Sequence, residues 1–195
     1  MKKLNFIIKY GLALLLLSFY SCESWLNVTP SDRLSEEMLF NDREGFVKAL
    51  NGVYIELNTN ELYGRNLTAG ALDVMGQYYS VASSSHAFYN YGGLVYTGND
   101  EKALFDNMWQ KCYAVIACCN TIIEKCDENK AGLSPVWKGS IKGEALALRA
   151  MLHFDMLRLF APAPVNDDGQ AYVPYVETYP DIHPESIKVT PFLDK

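Results

Sequence analysis

Chemistry in this chain could come from its cysteines, histidines, carboxylates or tyrosines. Cys112, Cys119 and Cys126 recur every seven residues in a strongly helical stretch. With a rise of about 1.5 Å per residue, neighbours stand roughly 10 Å apart along one helix face. A disulfide needs its Cα atoms within about 7 Å, and one zinc ion with Zn–S bonds of about 2.3 Å cannot gather all three. The spacing predicts free thiols that act as small core residues. Cys118 points elsewhere and has no assigned role. His86, His153 and His183 are scattered, and His153 sits in a core-forming helix as a structural residue. Asp73, Asp155, Asp167 and Asp168 are acidic but unpaired in the sequence, whereas a glycosidase needs two carboxyl groups about 5–10 Å apart across a cleft. Glu144 and Arg149 lie five residues apart on a helix and diverge. No G-x-S-x-G, H-E-x-x-H or phosphate-binding glycine loop is present. The expectation is therefore a protein that is not an enzyme, with no metal site and no cofactor.

The tyrosines are more informative. Between Gln77 and Asp100 stand Tyr78, Tyr79, Phe88, Tyr89, Tyr91 and Tyr96, among Ser83-Ser84-Ser85, Gly92-Gly93 and Gly98-Asn99. Neither a period of 3.6 nor a period of 2 is sustained, which predicts a long loop, and long loops in compact domains tend to be functional. Aromatic rings can stack on an apolar face of a ligand while polar neighbours bind its hydroxyls. Tyr89, Tyr91, Tyr96 and Asn99 are the candidate ligand contacts. Glycines would let the backbone bend so that the rings face one way, and Asn99 can both donate and accept. The competing reading is that these tyrosines pack the core, their hydroxyls bonded internally.

The amino terminus carries a different chemistry. Lys2, Lys3 and Lys9 precede an apolar run, Gly11 to Leu17, and then Ser18-Phe19-Tyr20-Ser21-Cys22. This is the order of an export signal, residues 1–21, and the run is too short to span a bilayer. Phe19-Tyr20-Ser21-Cys22 resembles the lipobox of bacterial lipoproteins, with Phe19 where leucine is usual. Cys22 is the expected lipidation site, and acyl chains contribute about 0.8 kcal/mol per buried methylene to anchoring. Residues 22–40 then form a tether, with turn chemistry at Thr29-Pro30-Ser31-Asp32, and residues 41–195 the folded part. The formal charge of -6 becomes more negative once the three lysines are removed. With no basic stripe, nucleic acid is excluded as a partner.

The elements that must position the loop are helical. At 195 residues, 49% hydrophobic and 21% charged, the chain can bury one core. Asn41 with Glu44 suggests a capping box, followed by Phe46, Leu50, Val53 and Leu57 at helical spacing and a stop at Asn58 to Asn60. A shorter helical stretch runs near Leu67 to Tyr78. The strongest helix spans Asp100 to Lys125, with one apolar row through Phe105, Met108, Cys112, Val115, Cys119, Ile122 and Cys126 and a second through Trp109, Tyr113, Ile116, Asn120 and Ile123. Ser134-Pro135 caps the next helix, whose buried stripe is Ile141, Ala145, Leu148, Leu152, Met156 and Leu159. Gly139, Gly143 and Ala147 form a side-chain-poor stripe, expected to admit a neighbouring helix. Ala161-Pro162-Ala163-Pro164 ends it, and the tail to Lys195 is expected to be loop-like. The fold class is mainly α, with tetratricopeptide-like helix pairs and long aromatic-rich loops.

Several of these stretches resemble the SusD-like (RagB/SusD) family. Trp109 to Ile123 resembles its W-x3-Y-x2-I-x3-N-x-I-I helix, and Gly143 to Phe154 resembles its G-E-A-x2-L-R-A-x3-F helix. Phe46 to Leu57, with Gly52-Val53-Tyr54, resembles its first helix, and Cys22 with Trp25-Leu26-Asn27-Val28-Thr29-Pro30 its lipidated start. Ala161 stands where the family usually has glycine. The resemblance implies the amino-terminal portion of an incomplete SusD-like fold, since family members are typically more than twice this length. It implies an outer-membrane, cell-surface lipoprotein that binds an oligo- or polysaccharide. It also implies a TonB-dependent (SusC-like) outer-membrane transporter as partner. The alternatives are a helical scaffold with no saccharide site of its own and, less favoured, a glycoside hydrolase.

Overall fold

The computed structural model describes residues 35–181 and 184–195. The expected signal segment, Cys22, most of the expected tether and His183 lie outside the described residues. From Glu36 to Lys195 the chain forms one unit, and it is mainly α. Its elements are α1 (Glu36–Leu39), α2 (Arg43–Leu57), α3 (Ala71–Met75), α4 (Tyr89–Gly92), α5 (Asn99–Glu128), α6 (Pro135–Phe160), a 3-10 turn (Pro164–Asn166), β1 (Ala171–Pro174), β2 (Ser186–Lys188) and α7 (Val189–Leu193).

The frame is the antiparallel pair α5 and α6. Asn129 closes the hairpin in the left-handed conformation, φ 49°. Its side chain donates to the Leu133 carbonyl (3.2 Å) and accepts from the Leu133 N–H (2.7 Å). The pairing then runs without slip along the whole length. Lys142 binds Asp127 at 2.6 Å, Arg149 binds Asn120 at 3.0 Å, and Phe160 meets Trp109 with ring centroids 4.9 Å apart. Ser134 caps α6 by accepting from the Trp137 N–H, with Pro135 in the first turn, as expected.

The seam is lined on α5 by Met108, Cys112, Val115, Cys119, Ile122 and Cys126, and on α6 by Ile141, Ala145, Leu148, Leu152 and Met156, all buried. Cys112, Cys119 and Cys126 are free thiols with no exposure. Burial pushes the Cys112 and Cys119 thiols up to about 12, so neither supplies a thiolate at neutral pH. Cys118, one residue away from the seam, is exposed.

Helix α2 closes the seam from the third side with Phe46, Leu50, Val53 and Leu57. Tyr54 donates to Glu144 of α6, and Glu56 pairs with Lys111 of α5. Its N-cap is Asp42, accepting from the Gly45 N–H at 2.8 Å, rather than Asn41. Asp42 is one residue nearer the first turn and so reaches the free N–H groups. Gly45 marks a close approach of α2 to α1, because a Cβ there would overlap the Leu39 carbonyl oxygen at the end of α1.

Two expectations are corrected. Among the described residues no helix packs on Gly139 or Gly143, since a Cβ at either would meet nothing within 4 Å. Helical spacing places residues on one face but does not say what covers it. The tail is also more than loop. β1 and β2 pair antiparallel, and Val173, Val176, Val189 and Phe192 are buried. Its apolar residues are too few per element to show a period, and their partners lie far away in sequence.

Two alanine substitutions test this packing by opposite signs. Gly143→Ala should raise unfolding stability by about 0.5–1 kcal/mol through helix propensity alone. Gly45→Ala should lower it by about 1–3 kcal/mol, because backbone has to move. Chemical denaturation reads both, and equal signs would contradict the glycine assignments.

Candidate functional site

Two regions concentrate polar and aromatic chemistry. The first is the segment from Gln77 to Asn99. It folds over the start of α5 through α4, a single helical turn. Asn90 on α4 donates to Glu101 at 2.7 Å, and Glu101 is buried beneath it. Gln77, left-handed at φ 59°, donates to the carbonyls of Val74 (3.3 Å) and Gly92 (2.8 Å), tying α3 to α4. Tyr79 donates its hydroxyl to the Ala69 carbonyl.

These ties sort the tyrosines. Tyr91 is only 2% exposed. It lies edge-on to Phe88 and Phe105, at 5.8 Å and 6.0 Å, and its hydroxyl reaches the Asp100 carbonyl at 3.4 Å. Burial pushes that hydroxyl up to about 12. Tyr96 is half-buried, 5.4 Å edge-on from Phe105 and 6.4 Å from Tyr91. Tyr89 is 42% exposed and Tyr79 44%. Asn99 is exposed in the first turn of α5. The four expected contacts therefore separate. Tyr91 and Tyr96 come together on the packed side, while Tyr89 and Asn99 remain open to solvent.

Tyr89 lines an open groove with Gln77, Tyr79, Ser80, Asn90 and Val95. A second groove, lined by Val81, Ser83, His86 and Phe88, shares the Tyr79 to Val81 ridge. Tyr79, Gln77 and Asn90 are groove residues that the sequence pattern did not single out. Their types were visible, but only the fold of α3 onto α4 brings them beside Tyr89. The groove offers exposed ring surface and neutral amide and hydroxyl groups, which suits a polyhydroxylated ligand.

The second region is a polar latch on the α5–α6 seam. Tyr113 donates to the Pro174 carbonyl at 2.8 Å. Asn120 donates to the Val176 and Thr178 carbonyls at 3.1 Å and 3.4 Å. Arg149 donates to Asn120 and to the Glu177 carbonyl at 3.2 Å. His153 accepts from the Val176 N–H at 3.0 Å through Nε2, while its Nδ1 lies 3.0 Å from the Arg149 carbonyl. A carbonyl only accepts, so Nδ1 carries the proton and the ring is neutral. Tyr175 stacks on that ring at 4.2 Å. The side chains of the latch bond main chain.

Of the aspartates named from sequence, Asp155, Asp167 and Asp168 are likewise engaged in structure. Asp155 is buried, accepting from Tyr63 and Arg158. Asp167 and Asp168 accept from the Gly169 and Gln170 N–H groups, and Asp168 also accepts from Tyr172 at 2.6 Å. Glu144 is bonded to Tyr54 and Arg149 to Asn120, so these two do diverge. Among the described residues, no three His, Cys, Asp or Glu side chains gather in metal-binding geometry.

Residues 24–183 match the SusD-like family described as starch-binding and associating with the outer membrane. The chain belongs to that family. It is 25% identical over 170 residues to SusD-like protein P2 of Formosa agariphila, covering 85% of this chain and 31% of that protein. It is 24% identical over 178 residues to SusD-like protein P25 of the same organism, covering 83% and 31% respectively. The chain thus spans about a third of the length of these relatives. No solved structure matches it.

The latch makes a pH prediction. Burial lowers the His153 pKa from 6.5 to about 4. Between these values the unfolded chain binds a proton that the folded chain refuses. His153 therefore contributes stability above pH 6.5 that is lost as pH falls towards 4, by about 3 kcal/mol. Unfolding free energy measured from pH 7 to 4.5 should fall less steeply in His153→Gln than in the wild type. Parallel curves would remove His153 as the source.

Proposed function

We propose that this chain is the amino-terminal part of a non-catalytic, cell-surface lipoprotein that binds an oligo- or polysaccharide. It would act beside a TonB-dependent (SusC-like) outer-membrane transporter, held to the outer membrane through acyl chains on Cys22. The observation that carries saccharide binding is the groove holding Tyr89 and Tyr79 at its surface beside Gln77, Asn90 and Ser80, in a chain of a family described as starch-binding. Each ring keeps ring surface open; the Gln77 amide, its N–H groups bonded to Val74 and Gly92, offers its oxygen as acceptor, and the Asn90 amide, with one N–H on Glu101, can still donate once and accept. Tyr89 is the stacking ring in this reading, and Asn99 a neighbouring polar contact. Tyr91 and Tyr96 act indirectly, by holding α4 against Phe105.

Soluble starch and maltooligosaccharides are the first ligands to titrate. Tyr89→Ala and Tyr79→Ala should each weaken binding by about 1–3 kcal/mol, the range of aromatic anchors, and leave the Tm unchanged. Tyr91→Ala should lower the Tm instead, since it removes a buried ring. Unchanged affinity in both groove variants would place the saccharide elsewhere.

Lipid anchoring is separately testable. Metabolic labelling with a palmitate analogue should mark the wild type and spare Cys22→Ser. Equal labelling of the two would refute acylation at Cys22.

A further inference from the structure

At the hairpin end of the α5–α6 pair lies an open groove of about 430 Å³, separate from both the latch and the Tyr89 groove. Asp42, Arg43 and Glu44 at the start of α2 form one wall, and Gly132, Ser134 and Trp137 around the start of α6 form the other. Trp137 is 42% exposed. The Arg43 guanidinium stands 4.7 Å over its ring centroid, a cation–π contact. Stacking uses the flat face of the guanidinium and leaves its in-plane N–H groups free. Among the described residues Arg43 forms no hydrogen bond or ion pair that would engage them. The two neighbouring carboxylates each keep an oxygen available. Asp42 accepts from the Gly45 N–H through Oδ1, and Glu44 holds Lys48 at 2.8 Å through Oε1. Both walls are fixed beforehand. Asp42 and Ser134 cap their helices, and the Asn129 side chain bonds both the N–H and the carbonyl of Leu133. A preformed groove of this size with a few convergent polar groups is the usual form of a small-ligand site.

We infer that this groove binds a neutral saccharide, set against the exposed part of the Trp137 ring with its hydroxyls bonded by Arg43, Asp42 and Glu44. The donor and acceptor sets decide the class. An anion needs donors alone and would meet two carboxylates here, whereas a cation needs acceptors alone and would meet Arg43. A polyol hydroxyl both donates and accepts, so it uses the two sets together, and hydrogen bonds to charged partners are the stronger kind. The exposed indole supplies an apolar platform with a polar edge. The inference deepens the saccharide-binding reading but stands on other residues. The Tyr89 groove lies over the start of α5 and this one beside its end, and the 30 residues of α5 extend about 45 Å at 1.5 Å per residue. No residue lines both grooves. A polysaccharide long enough to reach both gains avidity over a short oligosaccharide.

The test follows the Trp137 indole N–H of the full chain by two-dimensional NMR, its signal assigned by its loss in Trp137→Phe. Maltoheptaose should shift that signal saturably in the wild type and equally in Tyr89→Ala. Arg43→Ala should raise the concentration for half the shift at least tenfold and leave the Tm unchanged. An indole signal that maltoheptaose does not move overturns the inference, as does an unchanged half-shift concentration in Arg43→Ala. A shift that disappears in Tyr89→Ala also overturns it, since the signal would then report on the other groove. Tighter binding of an oligogalacturonide at the same signal overturns the neutral class. If Tyr89→Ala and Tyr79→Ala bind maltoheptaose as the wild type does while the Trp137 signal still moves, the Tyr89 groove loses its role and this site stands.

Discussion

The structure depends on one requirement of buried backbone. The chain from Pro174, the last residue of β1, to Thr178 crosses the α5–α6 seam, and residues 175–178 belong to no strand. A buried carbonyl or N–H left without a partner costs about 1–3 kcal/mol. Tyr113, Asn120, Arg149 and His153 meet that need from the two helices, each bonding main chain rather than another element's side chain alone. Polar side chains in the middle of an otherwise apolar seam are thereby explained. They also fix the register of the helix pair, because Arg149 must stand opposite Asn120 for both to reach the same strand of chain. The Arg149 Nε is the buried side-chain atom that this arrangement leaves unbonded among the described residues.

From the latch, an aromatic series extends towards the loop. His153 meets Tyr113, Tyr113 meets Trp109, Trp109 meets Phe160, and Phe160 meets Phe105, each within 6.2 Å between centroids. Phe105 then receives Tyr91 and Tyr96. Most of these contacts are edge-to-face, the arrangement favoured by ring quadrupoles. The series gives the loop a rigid floor. Tyr91 and Tyr96 attach the loop to that floor, and the backbone between Tyr89 and Gly92 is a helical turn held by Asn90 on Glu101. Only then can Tyr89 and Tyr79 stand at the surface in a defined groove. Loops that bind ligands lose less entropy on binding when they are held beforehand in this way.

How far the sequence disclosed this follows from the range of each interaction. The apolar rows of α5 and α6, the Ser134 cap and the free cysteines rest on contacts along one helix, and a 3.6-residue period reports those directly. The helix capping at Asp42 was missed by one residue, because two adjacent residues can both cap and only backbone geometry chooses. The glycine stripe was located correctly on one face but assigned to a covered one. β1, β2 and α7 have no period long enough to detect, and their burial depends on residues such as Tyr113 and His153. In the candidate site, residue types sufficed to find the tyrosine-rich segment. They could not separate Tyr91 from Tyr89, since the division depends on which ring Phe105 receives.

The two family-like helix patterns take on physical meaning once each position has a neighbour. Trp109 and Tyr113 belong to the aromatic floor, Ile116 to the core, and Asn120 to the latch. In the second pattern Glu144 ties α6 to α2 through Tyr54, Ala145 and Leu148 fill the seam, and Arg149 completes the latch. Gly143, Ala150 and Phe154 are the exceptions, all on the solvent side of α6. The same short stretch thus serves two faces at once. Its inner residues are fully accounted for by the unit from Glu36 to Lys195. Its outer residues, Gly143, Ala150 and Phe154, are small or apolar and stand open to solvent in this unit.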